Sequence, residues 1–189
     1  MFIYSIVDTI YYWPLNIMKL RIKNAILGDE ESFAKVQVAA WRAAYTEFMG
    51  REFLNSLSLA QRSEMWEDAL THQCLGKYLV AEIQKYIQGF AVSGPARDDD
   101  LDQSAAELVA LNVHPEFWRR KIGTSLLDAV LESVSNDNFK SILLWVIKGN
   151  VPAIKLYKRF GFVSSGRSKI DNSHFGNQLH ELRYSRSLN

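Results

Sequence analysis

Residues 107–127 read ELVALNVHPEFWRRKIGTSLL, and the succession of residue types in them decides the fold. Glu107 to Val113 is short, apolar and rich in branched side chains, which predicts a largely buried strand. His114-Pro115 ends it, because proline has no ladder donor and biases its predecessor toward extended geometry. Arg119, Arg120, Lys121 and Gly123 follow, and then Leu126, Leu127, Val130, Leu131 and Val134 recur at helical spacing. A strand ending in a basic loop that opens a helix is an anion site. Free backbone N–H groups and the helix dipole there favour a phosphate.

Downstream, Lys140–Ile147 (KSILLWVI) reads as a second buried strand. Two apolar strands around one helix imply a parallel pair with a right-handed crossover. Gly149-Asn150 closes that strand, and Asn150 suits a helix N-cap with Pro152 in the tolerated first turn. The helix carries Ile154, Leu156, Tyr157 and Phe160 and stops at Gly161. Phe162–Ile170 and Gln178–Ser185 are expected as the last strands, with Asp171–Asn177 a polar connection.

Upstream, MKLRIKNA at 18–25 reads as the opening strand, and Asp29 as the N-cap of a helix. Phe33, Val36, Ala40, Trp41, Ala44, Tyr45 and Phe48 fall on one face before Gly50 breaks the run. A short segment with Phe53, Leu54 and Leu57 leads to Ser58-Leu59-Ala60-Gln61, which has capping-box spacing for a helix bearing Met65, Trp66 and Leu70. Tyr78–Ile83 and Tyr86–Val92, joined at Gln84-Lys85, predict a hairpin. Ser93–Ser104 (SGPARDDDLDQS) reads as a solvated connector; its aspartates lack the glycine and terminal glutamate of a calcium loop.

A chain of 189 residues, 48% hydrophobic and 23% charged, fits one domain with a real core. A net charge of +1 argues against a nucleic-acid partner. The single cysteine, Cys74, excludes an internal disulfide, is expected to be a small packing residue, and fits a cytoplasmic location. Residues 1–18 (MFIYSIVDTIYYWPLNIM) lack the basic start and cleavage site of a signal peptide, and Asp8 and Pro14 interrupt any span. Residues 1–17 read as an extension ahead of a domain at 18–189; a segment packed on the domain and a membrane-interface anchor are less favoured alternatives.

The basic loop resembles the acetyl-CoA pyrophosphate loop of the GCN5-related N-acetyltransferases. Val113, Pro115 and Ile122-Gly123 match its pattern, whereas Trp118 stands where Arg or Gln is usual and Lys121 replaces the first loop glycine. A second stretch, NVPAIKLYKRFGF at 150–162, is similar to the N-x-x-A-x-x-x-Y-x-x-x-G-F pattern of that family. The resemblance implies an α/β (α+β) fold with a mixed, largely antiparallel twisted sheet of six to seven strands. About four helices and a central parallel strand pair complete it.

The resemblance also implies acetyl-CoA as cosubstrate, no metal, and a small-molecule amine or a peptide as acceptor. Leu111, Asn112 and Val113 on the strand, Arg119, Arg120, Lys121, Ile122, Gly123 and Thr124 in the loop, and Asn150 are then the cofactor-binding residues. Glu107 to Val113 advances roughly 20 Å, the order of an extended pantetheine arm, so the thioester would lie near Glu107. Glu107 is the candidate base, standing where some members of the family carry theirs; a polar residue at a strand start is the plain alternative. Tyr157, seven residues after Asn150 and on the same helical face, is the candidate acid for the departing thiolate.

Trp41, Tyr45, Phe48 and Trp66 are expected mainly as core, with acceptor contact as the alternative. His114, His174 and His180 form no metal or triad set, and no residue pattern specifies an oligomeric state. Two other functions fit the same residues. One is acetylation of protein N-terminal α-amines, and the other is a non-catalytic CoA-binding regulatory module.

Overall fold

The computed structural model describes residues 19–174 and 177–188. Their order is β1 (Arg21–Asn24), α1 (Glu30–Ala44), α2 (Arg51–Ser56), α3 (Leu59–His72), β2 (Lys77–Ile83), β3 (Tyr86–Pro95) and β4 (Ala105–Val113). After a 3-10 turn at Pro115–Phe117 come α4 (Ile122–Asn136), β5 (Ser141–Ile147), α5 (Val151–Arg159), β6 (Val163–His174) and β7 (Asn177–Ser187). The seven strands form one sheet in the order β1-β2-β3-β4-β5-β7-β6. Neighbours run antiparallel except β4 and β5, the parallel pair expected from the strand–helix–strand pattern.

Alternation along the strands sends side chains to two cores. On one face Leu79, Ala81, Ala91, Ala106 and Leu108 pack against Ile122, Leu126, Leu127 and Val130 of α4, with Tyr157 and Phe162 at the margin. On the other, Val80, Phe90 and Val92 pack against Phe33 and Val36 of α1 and Trp66 of α3. Phe33 stacks on Phe90 at 4.2 Å, and the Trp66 indole donates to Gln37 Oε1 at 3.0 Å, so the polar atom buried there is satisfied. A third, smaller core joins Met49, Phe53, Leu54 and Leu57 to Ile147 of β5 and Leu179 of β7. Arg42 holds that corner by donating to the carbonyls of Leu54 and Leu57, which end α2.

Several local expectations hold and several are corrected. Ser58 caps α3 through Gln61 N, Asn150 caps α5 through Ala153 N, and Gln84 and Lys85 both take positive φ in the β2–β3 hairpin. Asp29 is the N-cap residue of α1 as expected, although its carboxylate accepts from Ile26 N in the preceding turn and makes no capping bond to the helix. Cys74 is exposed instead of packed. The predicted 171–177 connection is mostly strand, since β6 runs to His174 and β7 begins at Asn177. Five α-helices stand where about four were expected, because the Phe53-Leu54 segment is itself a short helix. The readings of residues 1–17 and of the His174 side chain lie outside the described residues. Among those residues no helix is long and apolar enough to cross a membrane.

Gly94 of β3 lies against the Leu75–Gly76 backbone, where an added Cβ would collide with the Leu75 carbonyl, and it pairs with Glu107 of β4. Gly94→Ala is therefore expected to cost about 1–3 kcal/mol by overpacking. The check is a lowered urea midpoint with an unchanged slope.

Candidate functional site

The β4–β5 ladder holds at three positions, Ala105↔Ser141, Ala106↔Ile142 and Glu107↔Leu143. Both strands continue, to Val113 and Ile147, but beyond Glu107 they part. The cause lies on the opposite edge of β4. Val92 pairs with Ala110 while Ser93 pairs with Leu108, so Val109 is one residue in excess and the resulting bulge bends β4 away. The edge from Leu108 to Val113 faces a cleft instead of a strand, over about 17 Å. Leu111, Asn112 and Val113 lie along it, at the end of β4.

At the open end of this edge the chain turns through Trp118–Lys121. The Trp118 indole donates to the Val113 carbonyl at 2.7 Å and holds the turn against the strand. Arg119 and Lys121 both adopt left-handed backbone, φ 61° and 62°, and Lys121 is the N-cap of α4 with no capping side chain. The first-turn N–H groups of Ile122, Gly123 and Thr124 thus have no side-chain cap, and alternating backbone of this kind aims N–H groups at one point. Arg120 lies 5.0 Å over the Phe117 ring. The Lys121 backbone also explains why glycine would suit this position, because a Cβ there costs about 1–2 kcal/mol.

At the closed end, where the strands meet, sits Glu107. It is 4% exposed, and both carboxylate oxygens accept from Arg97, from Nη2 at 2.7 Å and Nε at 2.8 Å. Arg97 belongs to the β3–β4 loop and is half exposed. The same loop is largely exposed, as its aspartates predict, but it is also tied down by ion pairs. Arg183 of β7 donates to Asp98 at 3.0 Å and to both oxygens of Asp100 at 2.7 and 2.9 Å. Arg167 adds a contact to Asp100 at 3.1 Å, and the Trp145 indole donates to Asp98 at 3.2 Å. Residues from Arg97 to Asp100, with Trp145, Arg167, Ser168 and Arg183, line an open pocket of about 360 Å³.

The remaining wall comes from α5 and the turn after α1. Asn150 spends its side-chain oxygen on Ala153 N at 3.3 Å. Tyr157 is buried beside Phe162, and burial, with a smaller contribution from Tyr45, pushes its hydroxyl well above the usual tyrosine range. Tyr45 is half-buried as a residue, but its hydroxyl end is deep. Burial, reinforced by Glu181, raises it to about 12. Both phenols therefore stay protonated at neutral pH. Of the four aromatics with two readings, Trp66 is core, whereas Trp41, Tyr45 and Phe48 flank the third core beside β5 and β7. Phe48 also approaches Gly149, where the β5–α5 connection turns with positive φ. Sequence reasoning missed Arg97 and Glu181. Arg97 carries no local signal, whereas Glu181 alternates with Leu179 and Arg183 on β7, a pattern that does mark one face. The described residues contain no cluster of metal-ligating side chains.

Comparison with known proteins agrees with this geometry. A model of the acetyltransferase (GNAT) family matches residues 38–162. The chain is 30% identical over 139 residues to YuaI, an uncharacterized N-acetyltransferase of Bacillus subtilis, across 74% of this chain and 78% of that protein. It is 26% identical over 107 residues to the phosphinothricin N-acetyltransferase of Streptomyces viridochromogenes, across 56% of this chain and 58% of the other. Among solved structures, YncA of Salmonella typhimurium with its cofactor acetyl-CoA superposes with a TM-score of 0.69 at 20% identity, covering 90% of this chain and 95% of that one. The PaiA N-acetyltransferase of Thermoplasma acidophilum, in complex with coenzyme A, gives 0.65 at 19% identity, covering 87% and 98%.

The loop latch has a pH signature. Hydrogen bonds from Arg183 hold the Asp100 carboxyl below its ordinary 3.8. A depressed carboxylate contributes stability that is complete above its ordinary value and is lost as the pH falls through the lowered one. Asp100→Asn should therefore lower stability at neutral pH yet show a shallower acid-side loss than the parent. Urea midpoints measured at about pH 6 and about pH 3 check this.

Proposed function

The chain belongs to the GNAT family of N-acetyltransferases, and on that premise we propose that it moves an acetyl group from acetyl-CoA to a primary amine of a small molecule or peptide. The observation that carries this reading is the free edge of β4, which runs from the Glu107 junction to the uncapped first turn of α4. An elongated molecule with a diphosphate at one end and amides along its arm matches those two features. Acetyl-CoA supplies an activated acetyl thioester when bound. Backbone N–H groups of Ile122, Gly123 and Thr124, with Arg119, Arg120 and Lys121, hold the diphosphate. Leu111, Asn112 and Val113 pair through their backbone with the pantetheine amides, and Asn150 stands across the cleft from them.

Tyr157 holds a proton for the departing sulfur, since burial keeps its hydroxyl protonated at the pH where the amine reacts. Glu107, with both oxygens engaged by Arg97, serves in this reading to fix Arg97 at the closed end of the cleft rather than to accept a proton. The lone thiol, exposed and unpaired with any second cysteine, suits a cytoplasmic enzyme.

The direct test is free-thiol release from acetyl-CoA in the presence of polyamines, aminoglycosides, amino acids or peptides with free N-termini. No affinity for acetyl-CoA or CoA in calorimetry would end the proposal. Tyr157→Phe should lower kcat by about 100-fold or more while acetyl-CoA affinity stays within about threefold, the signature of a lost proton donor. Lys121→Gly relieves the left-handed strain, so it should retain or tighten acetyl-CoA binding in the same titration. A large loss of affinity would show that the lysine side chain itself grips the ligand.

A further inference from the structure

We propose that Glu181 of β7, rather than Glu107, takes the proton from the ammonium of the acceptor. This rests on the acetyl-transfer reading above. Glu107 is poorly placed for the task, because Arg97 engages both of its oxygens at hydrogen-bond distance. An ammonium would have to displace a bidentate guanidinium in a buried setting, against charge-assisted bonds and like-charge repulsion.

Glu181 occupies different ground. It pairs with Ile147, the last residue of β5, and so stands beside the open part of the cleft. Along β7 it alternates with Leu179 and Arg183, whereas Leu182 packs into the core on the other face of the sheet. Ile147 and Leu179 belong to the small core against which Trp41, Tyr45 and Phe48 lie. The Tyr45 hydroxyl senses Glu181, and the Tyr157 hydroxyl in turn senses Tyr45. Tyr45, beside the small core that Ile147 and Leu179 share, thus links a carboxylate on β7 to the proton donor for sulfur on α5. In this proposal an amine attacking an acetyl group beside Tyr157 lies between the two.

Charged and titratable groups approach Glu181 from several elements. Lys169 of β6 approaches its Oε2 at 3.4 Å and lies 4.3 Å over the Trp145 ring of β5. Tyr45 faces it from the turn after α1, and Arg183, already bound by Asp98 and Asp100, follows two residues along its own strand. The Glu181 side chain keeps 17% of its surface exposed, so a proton received there can pass to water. Lys169 is half exposed, and its 3.4 Å contact is longer than the 2.7 and 2.8 Å bonds that Arg97 makes to Glu107.

The ammonium gives one proton to the Glu181 carboxylate, which later releases it to solvent. The neutral amine nitrogen then forms a bond to the acetyl carbon, and the carbon–sulfur bond breaks. Sulfur takes the electron pair and the Tyr157 proton, and the second nitrogen proton, shed as the amide forms, restores Tyr157. The products are the N-acetyl amine, the free thiol and one proton.

The test uses the full chain, with the panel amine of highest wild-type kcat/KM as probe nucleophile. Glu181→Gln should lower kcat/KM about 100-fold at neutral pH. The deficit should shrink as the pH approaches the probe's own pKa, while acetyl-CoA affinity in calorimetry is unchanged. Glu181→Asp should restore part of the rate with the acid limb of the profile intact. A Glu181→Gln enzyme within threefold of wild type at every pH overturns the proposal. So does a Glu107→Gln enzyme that alone reproduces the pH-dependent loss. Wild-type protein that binds acetyl-CoA but releases thiol with no amine overturns the acetyl-transfer reading itself, and is seen before any variant is made.

Discussion

The parting of β4 from β5 after Glu107 is the constraint from which the rest of the site follows. A parallel ladder of three pairs is too short to hold two strands together along their whole length, and the bulge at Val109 adds twist just where the ladder ends. In a continuous sheet the edge of β4 would be spent on β5. Here it is exposed to a cleft, and the same strand leads straight into the turn that opens α4. The cleft, the anion site and the two flanking helices are thus one consequence of a single registration error in the neighbouring β3–β4 pair.

Burial and charge then assign unequal roles to chemically similar groups. Glu107 and Glu181 are both carboxylates at the cleft, but one is sealed against a guanidinium and the other retains contact with water. Tyr45 and Tyr157 are both phenols kept protonated by depth, whereas Trp66 of α3 belongs to the separate core under α1. Trp41, Tyr45 and Phe48 lie past the part of α1 that faces the sheet, so their position follows from where the helix ends at Ala44 and not from its periodicity.

Most of the architecture was legible because local rules and tertiary context agree. Glu107–Val113, Lys140–Ile147 and the helices after them are apolar with clear punctuation, and the parallel pair follows from them. Ser58 and Asn150 cap where the spacing places them. The failures share a cause. The ion pairs of Asp98 and Asp100 were missed because their partner, Arg183, is more than eighty residues away, and no local pattern records so distant an ion pair. The length of β6 and β7 was underestimated for a similar reason. Polar residues such as Ser168, Lys169 and Asp171 do not look like strand formers, but pairing with β7 supplies what propensity lacks. Lys121 was recognised as a departure from the resembled loop, although its left-handed backbone became visible in three dimensions.

The β3–β4 loop has one more role, visible when the sheet is considered as two unequal panels, β1–β4 and β5–β7. Three backbone pairs hinge them at one end. Farther along, Asp98 and Asp100 from the first panel are tied to Trp145 and Arg183 of the second. A hinge with a brace across it fixes an angle. The aperture between the panels is therefore set in part by ion pairs gathered on the buried Arg183 guanidinium, a polar brace separate from the hydrophobic layers behind it.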